Sequence, residues 1–341
     1  MSTLAPTHAW ARRACMALAL ALGCAASNAA KAEEVLRVWG HGSLHEDFVG
    51  PLLRRWQAGF NKQHPQVRFE NTLRGDVTAV GGLYTGAADI AFMQRPPSAI
   101  ELDGYRPVVG HDPFGIAVAS GSVGVRHHAP ALVVYVHRGN PLARLTLAQL
   151  DAIVSADHRR SAAPIRHWGE LGLTGAWAHR PITVYTAAIA SDESQFVEQA
   201  VMAGSQKWTG ELREFSDRRG PDGKLVDAGQ QTLQALALDR FGMAIASGAN
   251  QHPQTKPLAL AADDASPARL ATRQTVAQRR YPLARTVWIF VNRAPGQPLP
   301  PSLKAFLHYV LSREGQAAVA RDGRYLPLTP EMARRERDKL E

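Results

Sequence analysis

From Glu34 onward the chain switches repeatedly between two patterns: short apolar runs, and stretches in which apolar residues return every three or four positions. "VLRVWG" (35–40), "VRFENTL" (67–73) and "ADIAFM" (88–93) read as strands, and between the first two Leu52, Leu53, Trp56 and Phe60 form a helical stripe that Pro51 opens or kinks. "FGIAVAS" (114–120) and "ALVVYVH" (131–137) predict two more strands on either side of a Gly, Ser and His-containing link. "TLAQLDAIVSA" then predicts a helix with Thr146 as its N-cap. Farther along come a strand at "PITVYT" (181–186), a polar stretch at 209–223, a helix near 228–238 and a strand at "FGMAIAS" (241–247). Residues 249–280 read as a connection, "RTVWIFVN" (285–292) as a buried strand, and Leu303, Phe306, Leu307, Val310 and Leu311 as a helix seam after Pro300 and Pro301. Such alternation is the mark of α/β layers around a largely parallel sheet, and no internal repeat interrupts it.

The first 32 residues stand outside this pattern. Arg12 and Arg13 precede the run "ACMALALALGCAA", which is too short to span a bilayer and gives way to small residues, so a secretory signal peptide cleaved after Ala32 is expected. Cys15 and Cys24 both fall inside it, leaving the mature chain without a disulfide or a thiol nucleophile. "ALGC" also resembles a lipoprotein box with Cys24 as the anchored residue, but Ala21 and Leu22 stand in the wrong order for a good one. The chain is therefore read as exported, to the periplasm, rather than membrane-spanning.

Formal charge is +9, and removal of Arg12, Arg13 and Lys31 with the leader leaves +6. The basic residues are scattered, so a nucleic-acid partner is not expected; the "MARRERDKLE" tail reads as a solvated helical face. G-x-S-x-G, H-E-x-x-H, P-loop and G-x-G-x-x-G patterns are all missing, which points to binding rather than catalysis, with no cofactor. Thirteen histidines raise the question of a metal. His41 and His45 lie four apart and His127 and His128 are adjacent, yet no carboxylate-histidine spacing typical of zinc accompanies them, and no metal is expected.

Three turns carry the candidate chemistry. "GHGSLHEDF" follows the first strand, "LRGDVTAVGGL" the second, and "ASDES" the strand at 181–186, and each places small or hydroxyl residues where a loop becomes a helix. Exposed N–H groups and the positive end of the helix dipole make such turns anion cradles, and three of them imply a ligand held between two lobes. The third turn is at odds with that role, because Asp192 and Glu193 occupy its first helical positions.

From Arg37 to Leu328 the sequence resembles the periplasmic phosphate-binding proteins of phosphate ABC transporters, two-lobed solute-binding proteins of type II. The segments that carry the resemblance are "GGLYTGAADIAFMQRP", "VVYVHRGNPLARLTLAQLDAIVS", "HWGELGLTGAW" with "RPITVY", "YPLARTVWIFVN" and "FLHYVLSREGQAAVARDGRYLPL". The resemblance implies an α/β fold with a ligand cleft between lobes, here 34–118 with 263–341 and 119–262. It also implies a small solute as ligand, an ABC permease as partner, and a monomer.

Carried over residue by residue, the family's first turn matches Ser43 and Leu44. Its "KGSST" stands here as "RGDVT", which keeps Thr78 but puts Asp76 and Val77 in place of serines. Its "SRP" becomes "QRP", with Gln94 in the serine place and Arg95 kept. Its "GRNSASGT" becomes "TAAIASDE": Ala187 stands where the phosphate-pairing arginine belongs, Ser191 is retained, and Asp192 and Glu193 replace Gly and Thr. Loss of a bidentate arginine removes the strongest charge-assisted contact, and added carboxylates repel an oxyanion. A single carboxylate can still accept a hydrogen bond from a protonated oxyanion. The expectation is a retained scaffold with an altered anion site; the alternative is a sensory or protein-interaction module that reuses the fold.

Overall fold

The alternating pattern resolves into two five-stranded sheets in a computed structural model that describes residues 33–42, 49–161 and 163–341. The expected leader with its two cysteines, and Ser43 and Leu44 of the first turn, lie outside the described residues. The first sheet joins β1 (Glu34–Gly40), β2 (Val67–Thr72), β3 (Ile90–Met93) and β4 (Phe114–Ser120) with β14 (Thr286–Val291) in the order β2-β1-β3-β14-β4. The second joins β5 (Leu132–His137), β7 (Val184–Ala187), β8 (Leu212–Phe215), β11 (Met243–Ser247) and β12 (Thr255–Pro257) in the order β12-β5-β11-β7-β8. Two small ladders complete the strands: β6 (Arg144–Thr146) with β13 (Ala259–Ala261), and β9 (Arg218–Arg219) with β10 (Leu225–Val226).

Neither sheet is as parallel as the alternation suggested. β1 pairs in parallel with β2 and β3, but β14 returns from the other half of the chain and runs antiparallel to both β3 and β4. Likewise β5, which leads into the second sheet, is antiparallel to β11 and β12, while β7 is parallel to β11 and β8. β8 was hidden in the polar stretch because it is an edge strand with its two middle residues exposed.

Each sheet has its own core. Helix α1 (Gly50–Phe60) opens with Pro51 in its first turn and buries Leu52, Leu53, Trp56 and Phe60, the stripe read from the sequence. Beyond it, α2 (Asp76–Tyr84) and α3 (Ala99–Val109) follow β2 and β3. On the second sheet α4 (Leu147–Val154) is closed by a capping box in which Thr146 and Gln149 satisfy each other's backbone N–H groups. α5 (Asp192–Ala200), α6 (Ala228–Leu238) and α7 (Arg273–Ala277) complete this half, and α8 (Pro301–Val310), α9 (Arg313–Asp322) and α10 (Pro330–Asp338) close the chain.

Leu303, Phe306, Leu307 and Val310 of α8 join the α1 stripe in the first core, where Phe60 and Phe306 meet edge to face at 5.4 Å. Val276, Tyr281 and Leu283, which the expected division gives to the first lobe, pack instead in the second core with Val184 and Ile245. These apolar residues have their neighbours there, so the return to the first sheet follows Leu283. No helix among the described residues is long and apolar enough to cross a membrane.

Trp56 ties the first core together. Its ring is wholly buried, and its indole N–H donates to the Gly315 carbonyl at 2.8 Å, across 259 positions of chain. Trp56→Ala should therefore cost about 3–5 kcal/mol in a denaturant titration. Trp56→Phe, which keeps most of the apolar volume, should cost distinctly less.

Candidate functional site

Four turns converge where the sheets meet. The turn after β1 carries His41. At the next, Gly75 precedes α2 with φ +120, a conformation that suits glycine alone, and its N–H donates to the Gly40 carbonyl at 2.9 Å. That contact sets Asp76 beside His41, Oδ1 to Nδ1 at 3.2 Å. β3 runs straight into Gln94 and Arg95, and the third junction, after β7, brings in Ser191 and Asp192.

Asp76 is almost fully buried, and its Oδ2 accepts the Gln94 backbone N–H at 2.8 Å. Burial alone would raise its pKa, but His41, Arg95 and the Gln94 N–H outweigh it and hold the carboxyl below its ordinary value. The other ring nitrogen of His41, Nε2, donates to the His127 carbonyl at 3.1 Å. Gln94 donates from Nε2 to the same carbonyl at 3.0 Å and to the Tyr325 hydroxyl at 2.9 Å, and its Oε1 accepts from Ala129 N–H at 2.6 Å. Burial, with Asp76 adding to it, raises the Tyr325 pKa and keeps that hydroxyl neutral. Gln94, predicted to touch ligand, thus spends its amide on the first crossing between sheets.

Arg95 is buried to 1% exposure. Its Nη1 and Nη2 grip Glu101 at 2.6 and 2.9 Å, and its Nε reaches Asp192 Oδ1 at 3.3 Å. Burial works against the guanidinium's charge, but Glu101, joined by Asp192 and Asp76, more than offsets it and raises the pKa. Glu101 also accepts the Ser98 N–H at 2.6 Å as the acid of the α3 capping box. The Ser-x-x-Glu spacing from Ser98 to Glu101 was the sequence signal that could have found it.

Helix α5 supplies the opposing wall. Ser191 caps it, Oγ accepting the Ser194 N–H at 3.2 Å. Asp192, Phe196 and Gln199, one face of the helix at i, i+4 and i+7, all reach toward the first sheet. Asp192 meets Arg95, Phe196 lies 5.6 Å beneath the Arg285 guanidinium, and Gln199 donates to the Pro97 carbonyl at 3.3 Å. Of the residues expected in the cleft, Asp76, Gln94, Arg95 and Asp192 come together. Thr78 is exposed and turns its hydroxyl back to the Gly75 carbonyl at 2.9 Å.

Ser191 and Glu193 line a neighbouring pocket of about 360 Å³ with Asp192, Asp217 and Asp227, and Ala187 forms part of its wall. Within it, burial pushes the Glu193 carboxyl up to about 7; Arg285 opposes the shift, while Asp227, Asp217 and Asp192 add to it.

Residues 46–314 match the family described as PBP superfamily domain. The chain is 29% identical over 293 residues to the phosphate-binding protein PstS of Pseudomonas aeruginosa, covering 85% of this chain and 84% of that relative. An ABC-type phosphate transport receptor from Vibrio cholerae superposes with a TM-score of 0.54 at 17% identity, over 85% of this chain and 99% of its own. PstS from Borrelia burgdorferi also gives 0.54, at 14% identity, over 87% and 100%. What the two structures share with this chain is the fold: two α/β lobes of the type II binding-protein kind.

Glu193 yields a pH signature. Its folded pKa of about 7 lies above the ordinary 4.5, so its contribution to stability is full below pH 4.5 and is lost as pH rises toward 7. Glu193→Gln, which keeps the neutral shape, should flatten the stability profile between pH 4.5 and 7 and leave the protein more stable than wild type above 7, as read by denaturant unfolding across that range.

Proposed function

The chain belongs to the PBP superfamily, and on that premise we propose that it is an exported, non-catalytic solute-binding protein of the phosphate-transporter kind whose own Asp192 stands where an oxyanion would pair with Arg95. The observation that carries this reading is the commitment of Arg95. A buried guanidinium is the natural grip for a phosphate, yet here Glu101 takes two of its nitrogens and Asp192 the third. Phosphate would have to displace a tethered carboxylate already in place, at high effective concentration and with the lobes drawn together.

The surroundings add to the barrier. Asp76 is held ionised beside the same spot, and Ala187, buried in the position that resembles the family's phosphate-pairing arginine, offers no replacement charge. Repulsion between an oxyanion and two carboxylates is poorly screened where water is excluded. Export, a small solute and an ABC permease as partner follow from the family resemblance together with the leader-like first 32 residues. A sensory or interaction role is the second reading, and one observation favours it: Val77, Ile100 and Ile189, in the segments that bear Asp76, Glu101 and Asp192, stay exposed at 64%, 70% and 41%.

Titration calorimetry on the mature protein, stripped of bound solute and near neutral pH, tests the main reading. Phosphate should bind weakly or not at all; a Kd of about 1 µM or tighter, about 8 kcal/mol, would sink it. Ala187→Arg combined with Asp192→Gly and Glu193→Thr should restore measurable phosphate affinity. No gain in that triple variant would mean that this turn does not correspond to the family's anion turn.

A further inference from the structure

The features that repel an oxyanion define a site for the opposite charge. A ring nitrogen of His41, a carboxylate oxygen of Asp76 and one of Asp192 lie within 4.8 Å of one another. We propose that these three side chains form a binding site for one divalent transition-metal ion of zinc's class, with His41 and Asp76 supplied by one lobe and Asp192 by the other.

One imidazole and two carboxylates are a donor set that suits zinc and its neighbours better than calcium or magnesium, which favour oxygen alone. Two ligands on a tetrahedral zinc at about 2.0–2.1 Å lie about 3.4 Å apart. His41 Nδ1 and Asp76 Oδ1 are already 3.2 Å apart, so half of the coordination shell is set before the metal arrives. Asp192, from the opposite lobe, supplies the third donor within 4.8 Å of the other two.

The outer groups are those a metal site needs. His41 Nε2–H is held by the His127 carbonyl, which fixes the ring and turns Nδ1 inward, and Asp76 Oδ2 is held by the Gln94 N–H, which leaves Oδ1 facing the same point. A metal ion would take the proton's place between Nδ1 and Oδ1. Arg95 Nε contacts Asp192 Oδ1 at 3.3 Å while Glu101 holds Nη1 and Nη2, so the guanidinium keeps one carboxylate partner when Asp192 turns to a metal. Asp76, Glu101 and Asp192 against Arg95 leave two negative charges, the complement of a divalent cation. The ligands come from three separate turns, which is why no metal spacing is visible along the sequence.

This inference rests on the reading of the cleft as closed to oxyanions, and the test separates the two. Zinc is titrated into metal-stripped mature wild type, His41→Gln and Asp192→Asn by calorimetry, with circular dichroism to confirm that each variant is folded, and phosphate is titrated into the same metal-free wild type. The expected result is one zinc per wild-type chain, weakened at least ten-fold by each substitution. Absence of a stoichiometric zinc site, or equal binding by all three proteins through other histidines, overturns the metal site and leaves the phosphate reading untouched. Tight phosphate binding by the metal-free protein overturns the phosphate reading whatever zinc does.

Discussion

A guanidinium sealed from water is the constraint around which the junction is organised. Arg95 has 1% of its surface exposed, and it cannot shed its charge, so the fold must bring carboxylates to it. Glu101 does so from the same lobe, at short range, as part of a helix cap. Asp192 does so from the other lobe, 97 positions away. Removing one partner from a buried ion pair costs about 3–5 kcal/mol, whereas exposed pairs are worth under about 1 kcal/mol. Neutralising Arg95 is therefore a force on the relative position of the two lobes.

Other contacts follow from that placement. Once Asp192 is anchored, the helical period carries Phe196 and Gln199 onto the same surface, where they meet Arg285 and Pro97. Asp76 completes the charge pattern and, through His41 and Gln94, extends it to the first crossing of the chain. The His127 carbonyl there receives hydrogen bonds from both. A cleft in which the family's resemblance places an external anion is thus furnished with internal ones, and the same charges that stabilise Arg95 set the chemistry of whatever enters.

Much of this was legible in the sequence. The α1 stripe, the Thr146 cap and the apolar β14 are local patterns, and local patterns survive folding when the core agrees with them. By resemblance, Ala187 was read in the place of an arginine and Asp192 in the place of a glycine. What could not be read was partnership. Gln94 looked like a substituted ligand contact and is instead occupied by Ala129, His127 and Tyr325, because its side chain is aimed by tertiary packing and not by its place in a motif. Glu101 announced itself only as a helix cap, and β8 was masked because an edge strand keeps polar residues on its open side.

The two crossings between lobes are also joined to each other. Gly121 N–H donates to the Arg285 carbonyl at 2.9 Å, Leu132 N–H to the Leu283 carbonyl at 3.2 Å, and Ser120 pairs with Thr286 at the end of the first sheet. Two strands laddered in this way resist sliding past one another while still permitting bend and twist, so the lobes are connected as by a leaf spring and not by two loose tethers. Motion between them is channelled into few directions, and a change in either strand alters the stiffness felt by both.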